Sequence, residues 1–148
     1  MLNFDYVIVG AGSAGCVMAN RLSETAKVAL IEAGPANFSW DFRIHMPAAL
    51  SQILTSGQYN WNYHTEPEPY LNNRQLYCPR GKVLGGSSSI NGMIFVRGNR
   101  ADYDRWADFH ELDEWRYDQC LPYFRKSETV HFDGSQHRGG LGPLQVSR

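Results

Sequence analysis

The chain has few of the features that would assign it to a class at once. Its 148 residues include only three cysteines, which are scattered along the sequence: Cys16, Cys78 and Cys120. An odd and scattered set fits reduced thiols in a cytoplasmic protein better than a disulfide framework or a zinc site. The formal net charge of −1 leaves no basic surface of the kind that binds nucleic acid.

Long apolar runs are also missing. The longest apolar stretches are far too short to span a bilayer. Asp5 and Gly10 fall where the apolar core of a signal peptide would lie, and no basic segment precedes them. We therefore expect no transmembrane segment, no signal peptide and a cytoplasmic location, with peripheral contact at the inner membrane left open. The five histidines show no metal-ligand spacing, so no metal is expected.

A glycine pattern follows the first apolar segment of the chain. Residues 5–9 predict a short buried strand, after which three glycines come in quick succession: Gly10, Gly12 and Gly15. A second apolar run at 27–31 leads to Glu32, about 20 residues beyond the glycines, as in known dinucleotide sites. The order of strand, glycine turn, helix, strand and acid is the dinucleotide-binding fingerprint.

Each residue type in this pattern has a physical role. Gly10 permits the tight turn, Gly12 lets the backbone approach a pyrophosphate, and Gly15 lets the helix pack close to the strand. The N-terminus of the helix then presents free N–H groups to the phosphates. Glu32 can accept hydrogen bonds from both ribose hydroxyls and would repel a 2′-phosphate, which disfavours NADP. NAD and FAD both stay open, as does a tight turn with no ligand.

A second glycine-rich segment at 80–93 contains Gly85 and Gly86, followed by three serines. These glycines would let the backbone approach a ligand, and a serine would cap a helix start. The N-terminus of that helix could then face the far end of an extended cofactor. The residues alone favour this interpretation no more than an ordinary Gly-Ser loop with a routine cap.

Composition divides the chain into segments. In order, they are a β-α-β unit at 5–34, a loop-rich segment at 35–79, the second glycine motif at 80–96, a helical segment at 101–127, and a turn-rich tail at 128–148 that ends in a predicted strand at 144–146. The predicted first helix has one apolar face, since four residues recur at helical spacing: Ala14, Val17, Met18 and Leu22.

Two further helical regions are predicted. A short helix is expected at 48–54. The helical segment should form two helices broken near 112–116, with Trp106 and Phe109 as core positions on the first. No second β-α-β pattern follows the first, so the doubly wound sheet that such units build would be incomplete in these residues.

The two glycine segments, 5–16 with 32–34 and 81–92, resemble those of the glucose–methanol–choline (GMC) oxidoreductases. Four connecting segments also match that family: 59–63, 65–69, 97–99 and 102–106. Segments 41–50 and 72–74 are similar to its choline-oxidising members. The resemblance implies an α/β fold in which a Rossmann-like FAD-binding β-α-β unit carries a loop-rich and helical extension. Residues 1–148 would be the N-terminal part, incomplete relative to the full family fold.

The resemblance implies FAD as the cofactor and assigns the residues that bind it. The pyrophosphate would be held by Gly10, Gly12, Ser13, Ala14 and Gly15, and the adenosine ribose by Glu32. The flavin side would be lined by Val83, Gly86, Ser87, Asn91 and Met93. Some relatives attach FAD covalently through a histidine where this chain has Ile90, which implies noncovalent FAD.

The family reaction is hydride transfer from an alcohol to the flavin, assisted by a histidine base in a segment that these residues do not include. The resemblance thus implies a small alcohol as substrate, most simply choline oxidised to betaine aldehyde, an unspecified electron acceptor, and no catalytic residue in 1–148. Two alternatives are another alcohol and a non-enzymatic dinucleotide-binding module. An NAD enzyme would leave the second glycine motif unexplained.

Four aromatic residues are candidates for a cage around the quaternary ammonium of choline: Trp40, Tyr59, Trp61 and Tyr63. Such a cage would use cation–π attraction. Packing and loop anchoring are the favoured interpretation for each of them.

Overall fold

Two parallel strands and the helix between them open the fold. Strand β1 (Tyr6–Val9) is followed by helix α1 (Ser13–Leu22) and strand β2 (Val28–Ile31). The strands pair in parallel, from Tyr6 opposite Val28 to Val9 opposite Ile31. Parallel neighbours need a crossover connection, and α1 supplies it. The predicted β-α-β unit at 5–34 is confirmed.

The computed structural model describes residues 2–132, 134 and 136–147. Its contacts divide the chain into two compact units, Met1–Ile94 and Phe95–Arg148. The boundary falls inside the predicted segment 80–96. The predicted tail at 128–148 includes three residues outside the described part: Asp133, Ser135 and Arg148.

The β-α-β unit leaves much of its apolar surface exposed. No residue of α1 is buried, and Val17 and Met18 on its apolar face are 60% and 54% exposed. On β1 only Ile8 is buried, whereas Val9 is 82% exposed. Parallel sheets are normally covered on both faces. Within the described part of the chain, no further strand pairs with β1 or β2.

The loop-rich segment contains more regular structure than its composition predicts. Helix α2 (Phe42–His45) precedes a 3-10 turn at Pro47–Ala49 and helix α3 (Leu50–Thr55), which confirms the short helix expected at 48–54. An antiparallel pair follows, formed by β3 (Tyr63–His64) and β4 (Tyr77–Cys78). Two-residue strands carry no periodicity, so the sequence did not predict the pair.

The core of the first unit lies between α3 and the second glycine segment. Four residues form it, each at most 3% exposed: Ile53, Tyr59, Val83 and Ile90. Side chains from α2 and α3 pack against this cluster. The buried core therefore supports the second glycine segment rather than the β1–β2 sheet.

The second unit contains the two predicted helices. Helix α4 (Arg100–His110) begins where the side chain of Asn99 caps the backbone N–H of Ala101 at 2.9 Å. A 3-10 turn at Asp113–Trp115 separates it from α5 (Tyr117–Ser127), so the predicted break near 112–116 is confirmed.

Two predicted core positions on α4 are wrong. Trp106 and Phe109 are 48% and 81% exposed, and Ala107 is the buried residue of this helix. The helix turns Ala107 inward and leaves Trp106 and Phe109 exposed, while its third aromatic residue, Tyr103, packs against Tyr117 and Phe124 of the following helix. Apolar periodicity alone does not show which of two neighbouring stripes faces the core.

The second unit contains a buried carboxylate, that of Glu128. Strand β5 (Glu128–Val130) pairs in parallel with β6 (Leu144–Val146), which confirms the strand predicted at 144–146. Glu128 is fully buried and accepts hydrogen bonds from Arg97 Nη2 at 2.6 Å, Arg138 Nη1 at 3.1 Å and the backbone N–H of Gly139 at 3.0 Å. One carboxylate thus ties three points of the chain together.

Removing this charge should destabilise the protein. We expect Glu128→Gln to lower the free energy of unfolding by about 3 kcal/mol, because two guanidinium groups would lose their buried partner. Urea denaturation measures the change. Exposed Glu114 offers a matched control, and Glu114→Gln should stay within about 0.5 kcal/mol of wild type. Equal effects from the two variants would contradict the role given to Glu128.

Candidate cofactor site

The first glycine turn lies between the end of β1 and the start of α1. Gly10 has a φ of +95°, a backbone conformation that favours glycine, and its N–H donates to the carbonyl of Ile31 at 2.7 Å. A Cβ on Gly15 would overlap the carbonyl oxygen of Gly10. The predicted roles of these two glycines in the turn and in close helix packing therefore match the geometry.

The N-terminus of α1 is open. Its N-cap is Gly12, no side chain caps it, and its first helical hydrogen bond runs from the N–H of Cys16 to the carbonyl of Gly12 at 2.9 Å. The N–H groups of the first turn precede that bond, so the helix itself offers them no acceptor. A Cβ on Gly12 would meet no atom within 4 Å. The turn is therefore a cradle with free donors, and the two residues after Gly12, Ser13 and Ala14, are exposed beside it.

Glu32 joins the glycine turn to the chain beyond β2. Its carboxylate accepts from the backbone N–H of Ala11 at 2.8 Å and of Gly34 at 3.0 Å. A carboxylate has about four acceptor positions, so two stay free for another donor. The structure thus places Glu32 at the turn, as predicted, and adds a bracing role that its position in the sequence did not indicate.

The second glycine segment packs directly on the first. The N–H of Gly85 donates to the carbonyl of Ala11 at 2.7 Å. A Cβ on Gly86, whose φ is +56°, would lie 2.8 Å from the Cα of Gly12. The hydroxyls of Ser13 and Ser88 are hydrogen-bonded across the same contact. Two segments far apart in sequence therefore form one site at the open end of α1.

The serines of this segment do not cap an α-helix, which corrects the expectation. A 3-10 turn spans Gly86–Ser89, its N-cap is Gly85 with a φ of +91°, and no side chain caps it. The hydroxyl of Ser87 accepts from the N–H of Gly81 at 3.1 Å, and that of Ser89 donates to the carbonyl of Leu84 at 2.8 Å. The hydroxyls are used to hold the turn, and one 3-10 turn does not build an α-helix dipole.

The remaining predicted residues divide into two groups. Val83 and Ile90 are buried in the core, and Val83 has no exposed surface with which to contact a ligand. Asn91 and Met93 are exposed, and the side chain of Asn91 accepts from the N–H of Met93 at 2.8 Å. Both line a cavity of about 230 Å³, and Arg43 is another of its lining residues.

Sequence reasoning missed a polar cluster beside this cavity, formed by buried Asp41 and Tyr59 with the partly exposed Arg43. Arg43 binds the carboxylate of Asp41 through Nε at 2.9 Å and Nη2 at 2.6 Å, and the hydroxyl of Tyr59 donates to the same carboxylate. These hydrogen bonds, first from Arg43 and then from Tyr59, hold the pKa of Asp41 well below its usual range. Burial raises the pKa of Tyr59. The feature of the sequence that could have indicated this cluster is an acid two residues before an arginine, Asp41 and Arg43.

The aromatic residues considered for a cage have partners of their own. Trp61 stacks on Tyr63 with ring centroids 6.0 Å apart, and Lys82 Nζ lies 4.6 Å from the centre of the Trp61 ring. Trp40 stacks on Phe38 at 5.2 Å. Packing and anchoring, the favoured interpretation, agree with these contacts.

The described residues contain neither a cluster suited to a metal ion nor a helix that could span a membrane. Among residues 2–132, 134 and 136–147, no group of three or more histidine, cysteine, aspartate or glutamate side chains is placed to hold a metal ion. In that same part of the chain, every helix is too short or too polar to cross a bilayer.

Comparison with known proteins identifies the class that this geometry defines. The family model for GMC oxidoreductases matches residues 4–148. Oxygen-dependent choline dehydrogenase of Stenotrophomonas maltophilia (strain R551-3) is 54% identical over 97% of the chain, and that of Cronobacter sakazakii is 53% identical over 99%. The chain spans about a quarter of the length of these relatives, 26% in each case.

Solved structures agree with the sequence comparison. Pyridoxine 4-oxidase from Mesorbium loti aligns over 97% of the chain and 28% of its own, with a TM-score of 0.86 and 37% identity. A formate oxidase of Aspergillus oryzae RIB40, solved in work on FAD modification, aligns over 96% of the chain and 26% of its own, with a TM-score of 0.82 and 37% identity. The chain belongs to the GMC oxidoreductase family, whose members are FAD-dependent alcohol-oxidising enzymes. The open cradle at α1 fits that cofactor.

Two alanine substitutions should separate cofactor binding from folding. Gly12→Ala adds a Cβ that meets no protein atom but enters the cradle, so FAD affinity should fall at least about tenfold, or about 1.4 kcal/mol. Its unfolding free energy should change by less than about 1 kcal/mol. Gly15→Ala forces a clash with the Gly10 carbonyl and should cost about 1–3 kcal/mol of stability. Fluorescence titration of the apoprotein with FAD and urea denaturation measure the two effects. Unchanged FAD affinity in Gly12→Ala would contradict the cradle.

Proposed function

We propose that residues 1–148 form the FAD-binding part of an enzyme that oxidises a primary alcohol. The observation that carries this proposal is the contact between the two glycine turns at the uncapped start of α1, in which Gly85 donates to Ala11. Free N–H groups and the positive end of a helix attract a pyrophosphate. Glycines on both sides let backbone, rather than side chains, surround the ligand.

In this proposal the two glycine turns bind different parts of the cofactor. Gly10, Gly12, Ser13, Ala14 and Gly15 hold the pyrophosphate, and Glu32 accepts from the adenosine ribose with its two free acceptor positions. On the flavin side we place four residues of the second segment, with Val83 supporting them from the core: Gly86, Ser87, Asn91 and Met93. Bound FAD supplies the acceptor for the hydride that leaves the alcohol carbon.

We assign no catalytic residue to this chain. Two of its histidines have partners outside the glycine turns: His45 Nε2 lies 3.2 Å from the carbonyl oxygen of Phe38, and His131 Nε2 lies 3.2 Å from Gln145 Oε1. The base that takes the hydroxyl proton is proposed to come from the part of the family fold that these residues do not include.

Choline is the substrate that we propose, with betaine aldehyde as the product. The support is the identity of 54% to proteins named choline dehydrogenases. Pyridoxine, an alcohol substrate suggested by the name of the 37% identical pyridoxine 4-oxidase, is the second candidate. We further propose a cytoplasmic location, because all three cysteines are free thiols.

Anaerobic reduction of the flavin tests the substrate. The complete protein that carries residues 1–148 should be yellow, and choline should bleach its flavin absorbance when oxygen is excluded. Readmitted air should restore the colour if oxygen is the electron acceptor. Bleaching by pyridoxine but not by choline would overturn the choline assignment and keep alcohol oxidation. A flavin that no alcohol reduces would favour a non-enzymatic dinucleotide-binding module.

We also propose that FAD is bound noncovalently. Ile90 carries no nucleophilic atom, and its side chain is 3% exposed within the core cluster. Acid precipitation of the purified complete protein should therefore leave the flavin in the supernatant. A yellow pellet, with a flavin-carrying peptide after proteolysis, would show a covalent link at another residue.

A further inference from the structure

The cluster of Asp41, Arg43 and Tyr59 joins two deeply buried groups to a partly exposed one. Asp41 is 3% exposed and Tyr59 is 1% exposed, whereas the side chain of Arg43 is 32% exposed. Arg43 meets both carboxylate oxygens of Asp41, and its Nη2 lies 3.3 Å from the hydroxyl oxygen of Tyr59. The guanidinium also stands 5.1 Å from the centre of the Tyr59 ring. The carboxylate of Asp41 and the hydroxyl of Tyr59 are therefore bonded to each other and to Arg43, which restrains the position of the tyrosine ring.

Tyr59 connects this cluster to the second glycine segment. Its ring shares the core with Val83 and Ile90, which stand on either side of the glycine pair at 85–86. Its carbonyl accepts from the N–H of Lys82 at 2.8 Å. The position of Tyr59 therefore sets the position of the residues that lead into the turn and of those that leave it.

Backbone pairing extends this support by two residues. The N–H of Trp61 donates to the carbonyl of Arg80 at 2.9 Å, and the N–H of Arg80 donates to Asn60 Oδ1 at 2.9 Å. Asn60 is 2% exposed and forms an antiparallel bridge with Gly81. Residues 59–61 are thus hydrogen-bonded along residues 80–82 and hold them in place. Arg43 additionally lines the same cavity as Asn91 and Met93.

We propose that Asp41, Arg43 and Tyr59 are positioning residues for FAD. Through the backbone pairing of residues 59–61 they hold the second glycine turn against the first. This inference rests on the proposed function. Burial of the Asp41 carboxylate costs desolvation, and a phenylalanine could fill the space of Tyr59, so apolar packing alone does not call for this cluster. Its polar bonds define one geometry, and the close approach of Gly86 to Gly12 tolerates little displacement.

Tyr59→Phe in the complete protein tests the proposal, since it keeps the ring and removes only the hydroxyl. We expect the dissociation constant for FAD to rise about tenfold, the equivalent of one hydrogen bond to a charged group. The visible absorption band of the bound flavin should shift as well, because its surroundings move. Tyr70→Phe is the matched control: Tyr70 is 98% exposed in the same segment, and its variant should bind FAD like wild type.

A second variant, together with a stability measurement, distinguishes a loss of FAD binding from a loss of folding. Arg43→Lys keeps the positive charge beside Asp41 but loses the two-pronged contact, so it should give a smaller loss of FAD affinity than Tyr59→Phe. Thermal unfolding of each apoprotein is measured alongside. A lower melting temperature with an unchanged dissociation constant and flavin spectrum would show a purely structural role and overturn the inference. A wild-type protein that binds no FAD would overturn the proposed function and this inference with it.

Discussion

The hydrogen bond from the N–H of Gly85 to the carbonyl of Ala11, 2.7 Å long, is the interaction on which the site depends. It brings two backbone turns so close that Gly86 has no room for a Cβ against Gly12. Without this approach, α1 would present an open N-terminus to solvent and the second segment would be an isolated loop. With it, free helix donors and the second turn face the same space. The site is therefore made of backbone, and the side chains around it serve mainly to hold that backbone in place.

This arrangement explains where the first unit has its core. Val83 and Ile90 are buried with Ile53 of α3, whereas Val9 of β1 is 82% exposed. Apolar burial is thus concentrated under the second glycine segment, which has only the short 3-10 turn at Gly86–Ser89 to stiffen it. The β1–β2 sheet, in contrast, leaves exposed apolar side chains of the kind that a parallel sheet normally buries.

Local signals predicted the parts of the fold that depend on short-range physics. Glycines and the acid at Glu32 marked the β-α-β unit, and the break near 112–116 was visible as an interruption between two helical patterns. Tertiary contacts decided the remainder. The two-residue strands β3 and β4 carry no pattern, Trp106 lies outside although its spacing suits a core, and the serines after Gly86 bond to neighbouring backbone instead of capping a helix. Likewise, the predicted glycines of both turns meet, but the cluster around Asp41 forms only through the closure of the loop-rich segment.

The segment 59–63 shows how the same residues can suggest two functions until their neighbours are known. Its aromatic residues suit a quaternary ammonium, yet Lys82 Nζ already lies over the Trp61 ring at 4.6 Å. A second cation on that face would be repelled, and Tyr63 is stacked against the same indole. Tyr59 is buried beneath the glycine turn rather than beside open space. These contacts make the segment a support for the second glycine turn. If choline is the substrate, its cation therefore has to be recognised by groups other than Trp61.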